Sequence, residues 1–428
     1  MGILTAISTS MVNLGNATLS WRCWQLARGI QSKSFLIRGD RALPPRSGVT
    51  DRCREWVEGV ASRRPFQVPE AGDGFIGNNR HLMRCFSVAS TKSVEPGTSL
   101  TTREAALAVK HQNAGLVGFY SDHHVVPLPE GHRFPMDKYK ATRKLLEEDA
   151  ALKGILATYP APYASREELS LVHDASYLDS LSTGDLDEKQ QRALGFPWSL
   201  DLWRRSMASC GGTVAAMHAV MLGVSKVAAN MAGGTHHAFP DHGEGFCVYN
   251  DIAVAAKVAL KEYPVSCNLQ SPILVIDLDV HQGNGTSKIF ENDDRVITFD
   301  LHGAKNYPWR TRMTSNYDIG LPDATEDEEY LRVLNEHLPS VFDKHNPFLV
   351  FFQAGVDALK EDSFGRLALT RQGLLRRNHI VYSACMTRNL PLVITMGGGY
   401  SRPSEASIQA HADVYRSAAL RYGAVQSI

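Results

Sequence analysis

Between Ile273 and His281 the chain passes from four consecutive aliphatic residues, Ile273-Leu274-Val275-Ile276, directly into Asp277-Leu278-Asp279-Val280-His281. An aliphatic run with no polar alternation must be covered on both faces, which is the signature of a parallel strand inside an α/β sheet. Similar runs occur at Val296-Ile297-Thr298-Phe299, Phe348-Leu349-Val350-Phe351-Phe352 and Leu392-Val393-Ile394-Thr395, with a shorter one over Val227-Ala228-Ala229-Asn230-Met231. Stretches of helical period lie near 137–157, 202–222, 250–262, 327–344, 370–388 and 404–421. The alternation predicts an α/β domain, a central and mainly parallel sheet flanked by helices in three layers.

Polar residues collect just beyond the carboxyl ends of these runs, where open α/β sheets bind ligands. Asp277, Asp279 and His281 follow one, Asp357 another, Tyr400 a third, and His236-His237 the shorter run. Residues at i and i+2 of an extended backbone point the same way, so Asp279 and His281 share a face. With Asp357 they offer two carboxylates and an imidazole, a set that suits Zn2+ or Fe2+ and leaves coordination positions open. A strand end built of Ile, Leu and Val has little use for buried charges unless a cation compensates them. His237 is the candidate proton carrier and His236 its electrostatic partner. Tyr400, after Gly397-Gly398-Gly399, can donate to an oxyanion. The reaction class is hydrolysis of an amide or ester.

These segments carry a resemblance. Gly233-Gly234-Thr235-His236-His237-Ala238, Gly245-Phe246-Cys247-Val248-Tyr249-Asn250-Asp251, Asp277 through Gly285, Ala354-Gly355-Val356-Asp357 and Gly397-Gly398-Gly399-Tyr400 are similar to the motif series of zinc-dependent histone deacetylases. The similarity runs from about Phe119 to about Tyr415. Through Pro127–Pro135 and His281-Gln282-Gly283-Asn284-Gly285 the chain most resembles class IV deacetylases and related bacterial proteins. The resemblance implies the arginase/deacetylase fold and removal of acyl groups from lysine side chains. It makes Asp279, His281 and Asp357 the zinc ligands, His237 the general base and acid, His236 its companion and Tyr400 the carbonyl-polarising residue. It also implies that Asp277 orients His236 and, with Asp300, contacts a potassium ion. Gly245 and Phe246 are expected on one wall of the substrate channel, with Tyr307 opposite and Phe364 beside the mouth. Where many members have an aspartate behind the general base, this chain has Asn284, as class IV members do. An amide fixes the histidine tautomer but adds no negative charge, so His237 is expected to be less basic than with Asp.

Charge divides the chain of 428 residues, which is neutral overall. Residues 1–100 contain thirteen Lys or Arg against seven acids, and no acid precedes Asp40. The Ser-rich, acid-poor start and Arg84-Cys85-Phe86-Ser87 predict a mitochondrial or plastid transit peptide over 1–86, the alternative being a disordered basic extension of a nuclear or cytoplasmic protein. A linker over 87–116 and a catalytic domain over 117–428 follow. Seven scattered cysteines without C-x-x-C argue against a disulfide framework. Balanced charge gives no footprint for direct nucleic-acid binding, and no apolar run is long enough for a membrane span. The expected partner is an acylated lysine of a protein. A small-molecule amidohydrolase, such as an acetylpolyamine deacetylase, and a non-catalytic acyl-lysine-binding scaffold are the alternatives; oligomeric state is not legible.

Overall fold

The computed structural model of the chain describes residues 100–109, 114–264, 266 and 271–425. The expected transit peptide over 1–86 lies outside them. In chain order the elements are α1 (Thr102–Leu107), β1 (Leu116–Tyr120), α2 (Lys138–Glu147), β2 (Leu156–Pro160), α3 (Arg166–Leu169), α4 (Ala175–Thr183), α5 (Glu188–Leu194), α6 (Leu200–Met221), β3 (Val227–Asn230), α7 (Asp251–Glu262), β4 (Ile273–Asp277), α8 (Asn284–Phe290), β5 (Val296–Gly303), β6 (Tyr317–Leu321), α9 (Asp327–His345), β7 (Leu349–Gln353), α10 (Arg371–Thr387), β8 (Leu392–Thr395) and α11 (Glu405–Val425).

The strands form one sheet in the order β2-β1-β3-β8-β7-β4-β5-β6, every pair parallel. Successive side chains leave a strand on opposite faces, and the core divides accordingly. Ile273, Val275, Phe351 and Val393 join α6 and α7 on one side. Leu274, Ile276, Val350, Phe352 and Ile394 join α9, α10 and α11 on the other. The three-layer expectation therefore holds, and the aliphatic runs are unbroken because each strand faces two cores. Among the described residues no helix is long and apolar enough to cross a membrane.

Two expectations need correction. The helical stretch at 137–157 ends with α2 at Glu147, and the chain then turns through Ala150–Leu152 and Gly154 into β2. Gly154 has φ +78°, a conformation that closes a helix and that glycine adopts without steric cost. The expected linker over 87–116 contains α1, whose Thr102 and Ala106 are buried. Its Arg103 pairs with Glu262 at 2.8 Å, so packed structure begins before residue 117.

Candidate metal and catalytic site

The four strands β3, β8, β7 and β4 are neighbours at the centre of the sheet, and the segments leaving their carboxyl ends carry His236-His237, Tyr400, Asp357 and Asp277–His281. Sheet order, not sequence proximity, brings these residues together. Asp279, His281 and Asp357 are all buried, and one ligand atom from each lies within 4.8 Å of the others. His281 Nδ1 stands 3.0 Å from Asp279 Oδ1 and 3.1 Å from Asp357 Oδ2.

The remaining carboxylate oxygens are held from behind. Asp279 Oδ2 accepts from Gln353 Nε2 at 3.0 Å and Gly398 N at 2.8 Å. Asp357 Oδ1 accepts from Val280 N at 2.9 Å. A side chain at Gly398 would begin 1.9 Å from Asp357 Oδ2, so this backbone must be glycine for the loop to cover the carboxylates. Despite burial, Asp279 and Asp357 lift His281 to about 10. Burial and the neighbouring Asp279 push Asp357 up to about 7. Two buried carboxylates facing one imidazole call for positive charge between them, which a divalent ion supplies better than a proton. The donor set therefore fits Zn2+ or Fe2+.

His237 is oriented by a chain of constraints. Asn284 Nδ2 donates to Glu244 Oε1 at 3.1 Å and to the Thr311 carbonyl at 3.0 Å, both groups that can only accept. The amide oxygen must then face His237 Nδ1, 2.6 Å away. Nδ1 consequently carries the hydrogen, and Nε2 is left to take a proton. Burial and the His236 and His281 rings hold His237 well below the ordinary histidine range, so that its ring is neutral. His236 behaves oppositely: burial disfavours its charge, but Asp277, 2.7 Å from Nδ1, and Asp279 raise it to about 9.

Glu244 was not anticipated from the sequence. It replaces, one hydrogen bond further back, the negative charge that Asn284 itself lacks. Burial opposes ionisation there, yet the His242 ring 3.9 Å away and hydrogen bonds from Tyr307, Thr311 and Asn284 draw its pKa down to about 2. Its position immediately before Gly245-Phe246 was the available signal. Glu244→Gln is expected to lower kcat about 10-fold, the scale seen when groups supporting a catalytic residue are altered. Steady-state kinetics across pH checks this; unchanged kcat would leave Glu244 with a packing role alone. Asp251 was also missed. It accepts from Gly234 N at 3.1 Å, Thr235 N at 2.8 Å and Thr235 Oγ1 at 2.6 Å, fixing the turn that presents His236 and His237.

Above this floor opens a cavity of about 500 Å3 lined by His237, Gly245, Phe246, His281, Tyr307, Phe364 and Tyr400, among others. All four expected channel residues are thus present. Phe246 adopts φ 68°, rare for a side chain of this size, and its ring packs 5.2 Å from Phe134 and 5.2 Å from Phe196. Gly245 cannot carry a Cβ, which would lie 2.8 Å from His237 Cδ2. The Tyr307 hydroxyl donates to Glu244 Oε1 at 2.5 Å, which places Tyr307 beside Gly245, and its ring stands edge-on to His237 at 5.0 Å. Phe364 packs on Tyr400 at 4.9 Å between centroids. The Tyr400 ring lies 6.5 Å from that of His281. Burial, then Asp357 and Asp279, keep its phenol protonated. Lys138, also unanticipated, is buried beneath this loop and donates to Gly397 O at 3.2 Å and Gly399 O at 3.3 Å.

At the expected second cation position, Asp300 Oδ2 accepts from Gly283 N at 2.7 Å, while buried Oδ1 has no hydrogen-bond partner among the described residues. Burial and Asp277 push Asp300 well above the usual carboxylate range. Both Asp277 side-chain oxygens are engaged, Oδ1 by Asp279 N at 3.2 Å and Oδ2 by His236.

Residues 132–414 match the histone deacetylase domain. The chain is 39% identical over 299 residues to an uncharacterized protein of the cyanobacterium Picosynechococcus sp., covering 70% of this chain and 97% of that protein. It is 30% identical to histone deacetylase 2 of Arabidopsis thaliana, over 64% of this chain and 70% of that one. A solved histone deacetylase homologue complexed with SAHA shares the fold, with a TM-score of 0.60 and 24% identity across 72% of this chain and 84% of that chain. The chain belongs to the histone deacetylase family, whose members are deacetylating hydrolases.

Proposed function

We propose that the protein removes acyl groups from lysine side chains of polypeptides, with Zn2+ as the expected ion and Fe2+ as an alternative, held by Asp279, His281 and Asp357. The observation that carries this reading is that the three donor groups converge within 4.8 Å at the floor of an aromatic-walled cavity. The ion, when bound, supplies Lewis acidity toward the acyl carbonyl and water.

The chain's own groups do the rest. Gly245, Phe246, Tyr307 and Phe364 enclose the aliphatic stem of the acylated lysine and exclude bulk water. His237 Nε2 takes a proton from the attacking water as the new C–O bond forms. The Tyr400 hydroxyl donates a hydrogen bond to the carbonyl oxygen as its charge develops. When the C–N bond breaks, the proton held on His237 passes to the departing lysine nitrogen. His236, held positive by Asp277, supports the negative charge gathered at the centre. Asp300, whose buried Oδ1 has no partner among the described residues, and Asp277 would be the residues to hold a monovalent second ion, K+, which would offset their charge.

Zinc-loaded protein should hydrolyse neutral acetyl-lysine or myristoyl-lysine peptides to acetate or myristate and the peptide with its lysine side chain freed, followed by mass spectrometry, and show little turnover of acetylpolyamines. Turnover of the polyamines alone would favour the small-molecule amidohydrolase. Peptide binding without turnover would make the chain an acyl-lysine-binding scaffold.

A further inference from the structure

The cavity floor concentrates carboxylates, but its mouth does not. The residues lining the cavity include Arg133, Arg192 and Arg366 and not one Asp or Glu. Arg133 lies over the Phe364 ring at 5.3 Å and has no ion-pair partner among the described residues. Arg192 and Arg366 pair with Glu188 at 3.0 Å and Asp323 at 3.2 Å, but all four side chains are solvent-accessible, and such pairs exchange readily for another anion.

The loop that carries Tyr307 to the cavity adds to the same sign. It contains Lys305, Arg310 and Arg312, and the sequence has no acid between Asp300 and Asp318. Arg312 donates to the backbone carbonyls of Pro308 at 3.1 Å and Ala304 at 2.6 Å and makes no direct ion pair among the described residues, although Asp318 lies within electrostatic reach. On the opposite loop, Asp362 accepts from the backbone N–H groups of Phe364, Gly365 and Tyr400, and Glu361 faces Lys360 at 3.9 Å. Trp309, 69% exposed, stands edge-on to Tyr307 at the rim and offers an open indole face beside the cations.

We propose that this rim selects acyl-lysines set among acidic residues of a polypeptide, and discriminates against acylated amines in cationic surroundings. The proposal rests on the deacylase reading above. A peptide whose acyl-lysine enters the channel places its flanking side chains at the mouth, where Arg133, Arg192 and Arg366 attract carboxylates. Lysine- or arginine-rich segments and polyamines meet repulsion at the same place.

The test compares three acetyl-lysine peptides differing only in flanking residues two positions either side: Glu, Gln or Lys. At low ionic strength kcat/KM is expected to favour Glu over Lys by about 10-fold or more, and the ratio should shrink toward unity as salt shortens the screening length. The Arg133→Glu, Arg366→Glu double variant should reduce or reverse the ratio. Equal kcat/KM for the Glu and Lys peptides at low salt overturns the proposal, as does a preference that survives the double variant unaltered. If no peptide is hydrolysed, the deacylase reading fails. Fluorescence anisotropy with the same peptides then decides the charge preference, equal Kd values overturning it and tighter, salt-sensitive binding of the Glu peptide upholding it.

Discussion

Replacing His237 with Ala is expected to lower kcat about 1000-fold while the protein remains folded, because the substitution removes the ring nitrogen proposed above to take the proton from water. The Asn284 amide, locked by Glu244 and the Thr311 carbonyl, leaves Nε2 as the acceptor, and neighbouring His236 is held protonated by Asp277. Tyr400→Phe should cost about 100-fold or more through loss of one hydrogen bond to developing charge, with KM little altered. Single-turnover kinetics on an acetyl-lysine peptide, with circular dichroism to confirm folding, would check both. Retention of more than about a tenth of wild-type kcat by His237→Ala would exclude His237 as the base.

The second large effect concerns Arg377, fully buried in α10. Its guanidinium donates to the carbonyls of Leu278 at 3.0 Å, Gly355 at 2.7 Å and Ala354 at 3.2 Å. These carbonyls belong to the segments that carry Asp279 and Asp357, so a single side chain fastens two ligand-bearing strand ends to the helix behind them. Arg377→Met keeps most of the volume but strands four buried acceptors, these three carbonyls and Asn378 Oδ1, a loss on the order of 3 kcal/mol or more. For a domain of this size that corresponds to about 6 °C or more in Tm, measurable by calorimetry. Metal affinity should fall as well, since the relative placement of Asp279 and Asp357 loosens. A Tm within about 1 °C of wild type would show that these acceptors find other donors.

Strands β4, β7 and β8 are legible as sequence because burial on both faces leaves an unbroken aliphatic run. β2 and β6 lie at the sheet edges, and β6 alternates half-buried and exposed residues up to Leu321, so they leave no such run. β1 is interior but interrupted by Gly118, where a Cβ would lie 3.3 Å from Met231 Sδ. Asp279, His281 and Asp357 stand out because charged groups at aliphatic strand ends demand explanation. Glu244, Lys138 and Arg377 do not, because their partners are backbone carbonyls or side chains contributed by remote segments, and no local spacing encodes those encounters.

The candidate reacting groups follow four adjacent parallel strands, whereas the cations at the cavity and its rim sit on loops around 133, 305–312 and 366 and on the short helix α5. On the proposed function, chemistry and choice of substrate would then occupy separate parts of the architecture, so that substitutions in the outer segments should redirect what is admitted and leave the bond that is cleaved unchanged.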